Sequence, residues 1–287
     1  MKVMIFGARG YLGQYFLSLY PSAATPIIDI ADPAAVAEVI DHQKPDVVIN
    51  AAGKTGLRNI DWCEDHKLET VHSNVTGPLV LLEELGRRGI YWVQIASGCI
   101  YQGDNGGCGF AENDPPNFFG SFYSRCKAWI DQILKDFPVL ILRLRMPFDG
   151  TTQPRNLLMK LRKYSRVLDV QNSITYVPDF LEVASQLIQR RALGLYNIAN
   201  AGSISPYEIM QLYGEIVDPA HTFSRLAIEE LPEVAKAGRS NCLLSTAKLA
   251  QEGLSMRPVR DAVRQALADL RSALNRSPEL AGVHGGG

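Results

Sequence analysis

The chain has 287 residues, 46% of them hydrophobic and 21% charged, with a formal net charge of -1. That length suits one large domain or two modest ones. The near-neutral balance leaves no overall electrostatic footprint for nucleic acid or an acidic membrane surface, and no apolar run is long enough to span a bilayer. Five cysteines, Cys63, Cys99, Cys108, Cys126 and Cys242, form an odd set without metal-ligand spacing. Reduced thiols in a cytoplasmic protein without a metal site are therefore expected. Met1–Phe6 lacks the long apolar run and cleavage site of a signal peptide. Residues 277–287, which end in three glycines, are expected to form a flexible tail.

Val3–Phe6 is a short apolar run that reads as a buried strand. Gly7, Gly10 and Gly13 follow at G-x-x-G-x-x-G spacing, and helical periodicity starts at Tyr11. A dinucleotide-binding loop needs this order of strand, glycine turn and helix. The glycines let the backbone approach a pyrophosphate seated at the helix N-terminus. Gly7, Arg9, Gly10, Tyr11, Leu12 and Gly13 are thus the first cofactor candidates. Pro26–Ile30 reads as the next strand and carries Asp29 and Ile30. Asp29 lies at the distance that meets an adenosine ribose, favouring NAD(H); alternatively it sits on a third strand beside the adenine. Arg9 is placed to meet a 2′-phosphate, favouring NADP(H). The expectation is NADP(H) first and NAD(H) second. Asp32 caps the helix that opens at Pro33.

Asp46–Gly53 is a parallel strand ending in small residues. Ala51, Ala52 and Gly53 allow a cofactor to approach closely. Helices are expected over Trp62–His72 and Val75–Arg88, then a strand over Ile90–Ala96. Ser97 and Cys99 lie at its C-terminal tip, the edge where open α/β sheets bind ligands. After a glycine-rich loop, a helix carries Tyr123 and Lys127 four residues apart, on one face. A lysine ammonium beside a tyrosine hydroxyl favours the phenolate, so Tyr123 is expected to titrate below its usual ~10. Such a tyrosine can pass a proton to a developing alkoxide.

Val139–Arg145 is a further strand, and beyond Met146 the strand–helix rhythm weakens. Pro154-Arg155-Asn156 opens a helix carrying Lys160. Arg166–Val170 and Ser173–Val177 read as short strands, and Phe180–Arg191 as a helix. Gly194–Asn200 returns to the sheet, and Pro206–Val217 and Arg257–Leu274 are helices. The expected fold class is α/β, with a Rossmann-type doubly wound parallel sheet over residues 1–148 and about 173–203. A smaller C-terminal substrate-binding lobe is expected from 149–172 and 204–276.

Together, Gly7–Gly13, Ser97 and Tyr123-x-x-x-Lys127 resemble the extended short-chain dehydrogenase/reductases that act on nucleotide sugars, over nearly the whole chain. Asn197–Gly202 followed by Ser205 and Glu208 is similar to that class. A longer ordered set narrows the resemblance: Asn50–Gly56, Asp61–Glu64, Gly98–Ile100, Pro116–Phe118, Gly120–Ser124, Leu144–Pro147, Pro154–Asn156 and Arg239–Asn241. This set resembles the bifunctional UDP-4-keto-6-deoxy-glucose 3,5-epimerase/4-reductases of UDP-rhamnose synthesis. The chain departs from that pattern in Ser97, where the plant enzymes carry threonine, in a shorter section before Asp32, and in a divergent C-terminal stretch.

The resemblance implies Tyr123 as proton donor to O4 and Lys127 as its partner and ligand of the nicotinamide ribose. It implies Ser97 as hydrogen-bond donor to the carbonyl oxygen. Cys99 and Lys160 take the acid–base positions that move protons at C3 and C5, carbons acidified by the neighbouring C4 carbonyl. From the residues alone, Cys99 is equally a small buried apolar side chain and Lys160 a solvated charge. Arg145, Arg155 and Arg239 are candidates for the diphosphate, since guanidinium forks suit phosphate oxygens. Lys54, Asn74, Met146, Asn156 and Asn241 complete the expected substrate set. The implied partner is a UDP-sugar, or a dTDP-sugar, and a homodimer is an expected assembly.

Sugar-nucleotide 4,6-dehydratases carry an Asp-Glu pair after the serine or threonine. Gly98-Cys99 stands here, which excludes that elimination. Two alternatives compete with the bifunctional reading. A 4-reductase acting on an already epimerised dTDP-4-keto sugar needs neither Cys99 nor Lys160. A non-catalytic dinucleotide-binding regulatory subunit need not keep Ser97, Tyr123 and Lys127 together.

Overall fold

Val3–Phe6, Val47–Asn50 and Leu140–Leu144 are buried along their whole lengths. Parallel strands covered on both faces need apolar side chains on both, which is why these runs do not alternate with polar residues. The computed structural model describes residues 1–56 and 59–276, so the expected tail at 277–287 lies outside the described residues. In chain order the elements begin with β1 (Val3–Phe6), α1 (Tyr11–Leu19), α2 (Pro33–Gln43), β2 (Val47–Asn50), α3 (Trp62–Asp65) and α4 (Lys67–Val71). A π-helical turn (His72–Thr76), α5 (Gly77–Arg87), β3 (Tyr91–Ser97), α6 (Phe122–Leu134) and β4 (Leu140–Leu144) follow. Then come β5 (Pro147–Phe148), α7 (Leu157–Leu161), β6 (Arg166–Leu168), β7 (Thr175–Tyr176), α8 (Val177–Gln189) and β8 (Gly194–Asn197). The last are α9 (Pro206–Ile216), β9 (Ser224–Leu226), a 3-10 turn (Ile228–Glu233), α10 (Ala247–Gln251) and α11 (Val259–Arg276).

The main sheet is parallel throughout, in the order β1-β2-β3-β4-β8. Its two faces separate by period two. Val3, Ile5, Val47, Ile49, Leu140 and Leu142 pack with Phe16 of α1 and Phe180 of α8. Met4, Phe6, Val48, Trp92 and Ile141 pack with Val36 and Ile40 of α2, Leu81 of α5 and Ile130 of α6. Helices thus cover both faces, giving a Rossmann-like doubly wound sheet. A further core joins Phe148, Leu158 and Ile174 to α9 and α11 through Met210, Ala262 and Leu267. Leu249, Leu254 and Met256 pack instead on the main sheet's core.

Three expectations are corrected. Pro26–Ile30 is not a strand: on the edge away from β2, β1 has one isolated bridge among the described residues, to Ala24. Pro26 has no N–H to extend that pairing, and Ile27 is exposed. Asp29 accordingly lies in a loop. The helices expected over 62–72 and 75–88 break elsewhere, at His66, whose ring stacks on Trp62 and whose Nδ1 meets the Trp62 carbonyl. From Lys67 the chain stays helical to Arg87 through the π-helical turn, which carries Asn74. The helix expected from Phe180 starts earlier, at Val177, with Pro178 in its first turn.

A Cβ added at Gly13 would lie 2.1 Å from the Gly7 carbonyl oxygen and 2.7 Å from Ala8 Cα. Both obstacles are backbone, so α1 would have to shift. Gly13→Ala is expected to cost about 2 kcal/mol, read from the urea midpoint. At Gly86 in α5 nothing lies within 4 Å of the added atom. Gly86→Ala is the control and should stabilise by about 0.5–1 kcal/mol.

Candidate active site

The glycine turn follows directly from β1. Gly7 has φ 75°, a left-handed conformation open to glycine, and Gly10 N–H donates to the Gly7 carbonyl. A Cβ at Gly7 would lie 2.5 Å from Ala52 N, which packs the turn tightly against the end of β2. Gly10 is the N-cap of α1, without a side-chain cap and without an acidic residue in the first turn. The first N–H groups and the positive end of the helix are left for an anion. A cleft of about 590 Å³ opens there, lined by Gly7, Arg9, Asp29, Ala52, Lys54 and His72 among others. Arg9 is exposed and has no carboxylate partner among the described residues. Asp29 accepts from Ala31 N–H and meets His72 Nε2 at 2.7 Å. Those two contacts hold its carboxyl below the usual range. This donor set and shape fit a dinucleotide.

Other expected cofactor residues are placed as follows. The Tyr11 hydroxyl donates to Asp149, as does Tyr15 at 2.6 Å, so Tyr11 can offer the cleft only its backbone. Leu12 and Ala51 pack against the main core, and Ile30 lies buried at the edge of the cleft. A Cβ on Gly53 would lie 3.1 Å from Asn74 Oδ1 and 3.7 Å from Lys127 Nζ. Gly53 thus marks where the cleft meets the catalytic candidates.

Those candidates ride on α6. Ser121 caps the helix by accepting from Ser124 N–H, and Phe122 N–H donates to Glu64 of α3 at 2.6 Å. Tyr123, Lys127 and Asp131 follow at four-residue intervals and all three are buried. Lys127 Nζ lies 5.9 Å from the Tyr123 ring centre. Ser97 at the tip of β3 hydrogen-bonds the Tyr123 hydroxyl and accepts from Cys99 N–H at 3.2 Å.

The expected lowering of the Tyr123 pKa is not found. Burial pushes the phenol well above its usual range, and the Ser97 hydrogen bond offsets only part of this. Burial also pushes Lys127 down to about 8, against the pull of Asp131. Loss of water dominates at both groups, and spacing alone does not show how much water the fold removes. Asp131, missed in the sequence reading, meets Arg143 at 2.5 Å, with 2% and 0% side-chain exposure. Burial pushes its carboxyl up against the pull of Arg143. The signal for it was available: Asp131 repeats the Tyr123–Lys127 spacing one turn further on.

The expected substrate set divides. Arg145 is 1% exposed. It donates to Asn172 Oδ1, the Ser240 carbonyl and hydroxyl, and Cys99 Sγ, so it is not free to take a diphosphate. Arg239 forms a two-pronged pair with Asp61, both contacts at 2.9 Å, and its fork is likewise committed. Asn156 is fully buried. Its amide donates to the Asp149 and Thr151 carbonyls and to Asp149 Oδ1, and its oxygen caps α7, so it shapes the loop and cannot reach a nucleotide. Asn241 donates to the Arg239 carbonyl and accepts from Asn172, again in the interior. Lys54 lines the dinucleotide cleft and pairs with Glu69 at 3.5 Å.

Asn74 donates to the Lys54 and Thr70 carbonyls, while its buried Oδ1 has no hydrogen-bond partner among the described residues. Met146 has φ 44°, an uncommon left-handed backbone for a side chain of its size. Arg155, just before α7, is exposed, and Lys160 five residues on is half-buried. Burial, then Arg155, pushes the Lys160 amine down. Among the described residues neither cation has a carboxylate partner.

Residues 1–272 match the family described as RmlD substrate binding domain. The bifunctional dTDP-4-dehydrorhamnose 3,5-epimerase/dTDP-4-dehydrorhamnose reductase of Arabidopsis thaliana is 35% identical over 271 residues, 91% of this chain and 90% of that one. A trifunctional UDP-glucose 4,6-dehydratase/UDP-4-keto-6-deoxy-D-glucose 3,5-epimerase/UDP-4-keto-L-rhamnose-reductase of the same plant is 35% identical over 274 residues, 92% of this chain but 41% of that longer protein. Among solved structures, the UDP-rhamnose synthase of Acanthamoeba polyphaga mimivirus superposes with a TM-score of 0.88 at 32% identity, covering 94% of this chain and 99% of that one. More distant chains of the same fold were solved with NADP or NAD bound. A family match over nearly the whole chain, with the glycine turn and the Ser97–Tyr123–Lys127 group in place, makes this chain a member of the RmlD family and a nucleotide-sugar reductase of the short-chain dehydrogenase/reductase type.

Proposed function

We propose that the protein is bifunctional, epimerising UDP-4-keto-6-deoxy-glucose at C3 and C5 and reducing the product at C4 to UDP-β-L-rhamnose with NADPH. The observation that carries this reading is Cys99 in the loop that also holds Ser97, its N–H donating to Ser97 Oγ. A reductase alone needs neither Cys99 nor a desolvated Lys160. The nicotinamide, when bound, supplies the hydride. Ser97 and Tyr123 donate hydrogen bonds to the C4 oxygen as negative charge gathers there, and Tyr123 gives it a proton. A phenol pushed up by burial stays protonated near neutral pH, the state that reduction uses. During epimerisation the same donors hold the enolate oxygen while Cys99 and Lys160 exchange protons with the carbons on either side.

Arg9, without an acidic partner among the described residues, supports the NADP(H) preference, and Arg155 and Lys160 together favour an anionic substrate. The ordered motif set supports UDP. Residues 149–172 and 204–276, apart from the segment around 249–256 that packs on the main sheet, form the nucleotide-sugar lobe in this reading.

The test follows NADPH oxidation with UDP-4-keto-6-deoxy-glucose and identifies the product by NMR. Wild type should yield UDP-β-L-rhamnose. Tyr123→Phe should reduce at least about 10²-fold more slowly while still exchanging solvent deuterium at C3 and C5, more slowly than wild type, with Ser97 left to hold the enolate oxygen. Cys99→Ala should lose that exchange. A wild type that reduces only a pre-epimerised dTDP sugar, without exchange, would replace this reading with the reductase alone.

A further inference from the structure

Arg145 is a buried cation without a counter-charge. Among the described residues no carboxylate pairs with it, although buried guanidinium groups are costly unless compensated. Its neutral contacts form a clamp. Asn172 Oδ1 accepts from Nε at 3.2 Å and Nη2 at 2.5 Å, while the Ser240 carbonyl accepts from Nη2 at 2.5 Å and Ser240 Oγ from Nη1 at 3.0 Å. The clamp is itself held. Asn172 donates to the Val170 carbonyl and Asn241 Oδ1, and the Ser240 hydroxyl donates to the Tyr101 carbonyl at 2.6 Å. The guanidinium plane is therefore fixed with Nη1 also directed at Cys99 Sγ, 3.5 Å away. Of the atoms in hydrogen-bond contact with Arg145, only that sulfur can become anionic.

We propose that Arg145 is the positioning residue for Cys99, aiming its sulfur and holding the negative charge that the sulfur carries in one of its two protonation states. The proposal rests on the epimerase reading. As the sulfur takes a proton, an S–H bond forms and a C–H bond beside the C4 carbonyl breaks. The electron pair moves to the carbonyl oxygen held by Ser97 and Tyr123. On the opposite face Lys160 gives a proton to carbon: an N–H bond breaks, and the electron pair returns from the enolate oxygen to form the new C–H bond. Arg145 neutralises the sulfur in the state without a proton. The other titratable groups that face Cys99 are Tyr123, Lys127 and Cys242. Cys242 donates its own thiol to the Gly98 carbonyl at 3.3 Å, so its hydrogen is engaged elsewhere. A lysine at position 145 would keep the charge but lose the planar fork that the clamp holds.

The test reads the sulfur directly. Cys108 is exposed and is replaced by serine in every variant; Cys63, Cys126 and Cys242 are buried. Iodoacetamide is added at pH 7, and alkylation of the Cys99 peptide is timed by mass spectrometry. The sulfur attacks the methylene carbon, an S–C bond forms and iodide leaves. Arg145→Met should slow alkylation at least tenfold. It should also depress deuterium exchange at C3 and C5 more than it depresses reduction of a pre-epimerised sugar. Arg145→Lys should recover part of the alkylation rate. Circular dichroism and the melting midpoint confirm the fold. If Arg145→Met does not fold, Ser240→Ala, which removes one anchor of Nη1, decides with an expected slowing of about threefold. Alkylation within twofold of wild type in a folded Arg145→Met, or unchanged in Ser240→Ala where that variant decides, overturns the assignment. The epimerase reading fails separately, if Cys99→Ala still exchanges deuterium.

Discussion

Lys127→Met should melt at a higher temperature than wild type at pH 7 and reduce its substrate about 10²–10³-fold more slowly. The stability gain follows from burial. Lys127 is 7% exposed and pushed down to about 8 from 10.5. The native state therefore disfavours its proton relative to the unfolded chain. Below about pH 8 both states bind the proton and the native state bears the whole cost, about 3 kcal/mol. Between 8 and 10.5 the unfolded chain binds more protons than the native one, so wild-type stability rises with pH. The advantage of Lys127→Met is thus largest at neutral pH and vanishes above about pH 10.5. Urea unfolding of both proteins at pH 7 and pH 10 measures it. The activity loss follows from the position of Nζ beside Tyr123 and Gly53, where the family resemblance implies that it partners Tyr123 and holds the nicotinamide ribose. A variant that gains stability as it loses rate is the signature of a destabilised functional group. Equal or lower stability at pH 7 would mean that Lys127 is better compensated than its burial indicates.

Asp131→Leu should destabilise the protein by about 3–5 kcal/mol. Among the described residues it leaves the buried Arg143 guanidinium with Asn197 Oδ1 at 2.9 Å and the Tyr101 ring at 5.2 Å. The double variant Asp131→Leu/Arg143→Met should recover most of that loss, because a buried ion pair contributes little net stability against an apolar pair of similar volume. Urea midpoints of the two singles and the double close the cycle. The same substitution removes a negative charge that helps Lys127 keep its proton, so the alkaline limb of the reduction pH profile should move to lower pH. Additive losses in the double variant would show that Asp131 and Arg143 act independently, against the geometry.

Much of the fold was readable because it depends on near neighbours. Val3–Phe6, Gly7–Gly13 and Tyr11 onward state a strand, a turn and a helix by run length, backbone freedom and periodicity. The glycine turn had a sharp signal, since Gly7 takes a positive φ and Gly13 leaves no room for a Cβ. Pro26–Ile30 misled because an apolar run resembles a strand whether or not a partner is present. There the ladder stops at Ala24. The helix breaks between Trp62 and Arg87 were misplaced because ring stacking at His66 and a π-helical turn leave little trace in periodicity.

By itself the sequence determined the α/β class, the apolar runs that form β1, β2, β3, β4 and β8, the dinucleotide turn and the pairing of Tyr123 with Lys127 on one helix face. All of these rest on spacing within a few residues, where helix and strand geometry repeat regularly. Only the tertiary structure decided which partners each polar side chain meets. Arg145, Arg239 and Asn156 looked alike as polar members of matched motifs. Arg145 finds Asn172 and Ser240, 27 and 95 residues away, and Arg239 finds Asp61 across 178 residues. The shifts at Tyr123 and Lys127 likewise depend on how much water the folded chain removes, and that is settled by packing between segments distant in sequence.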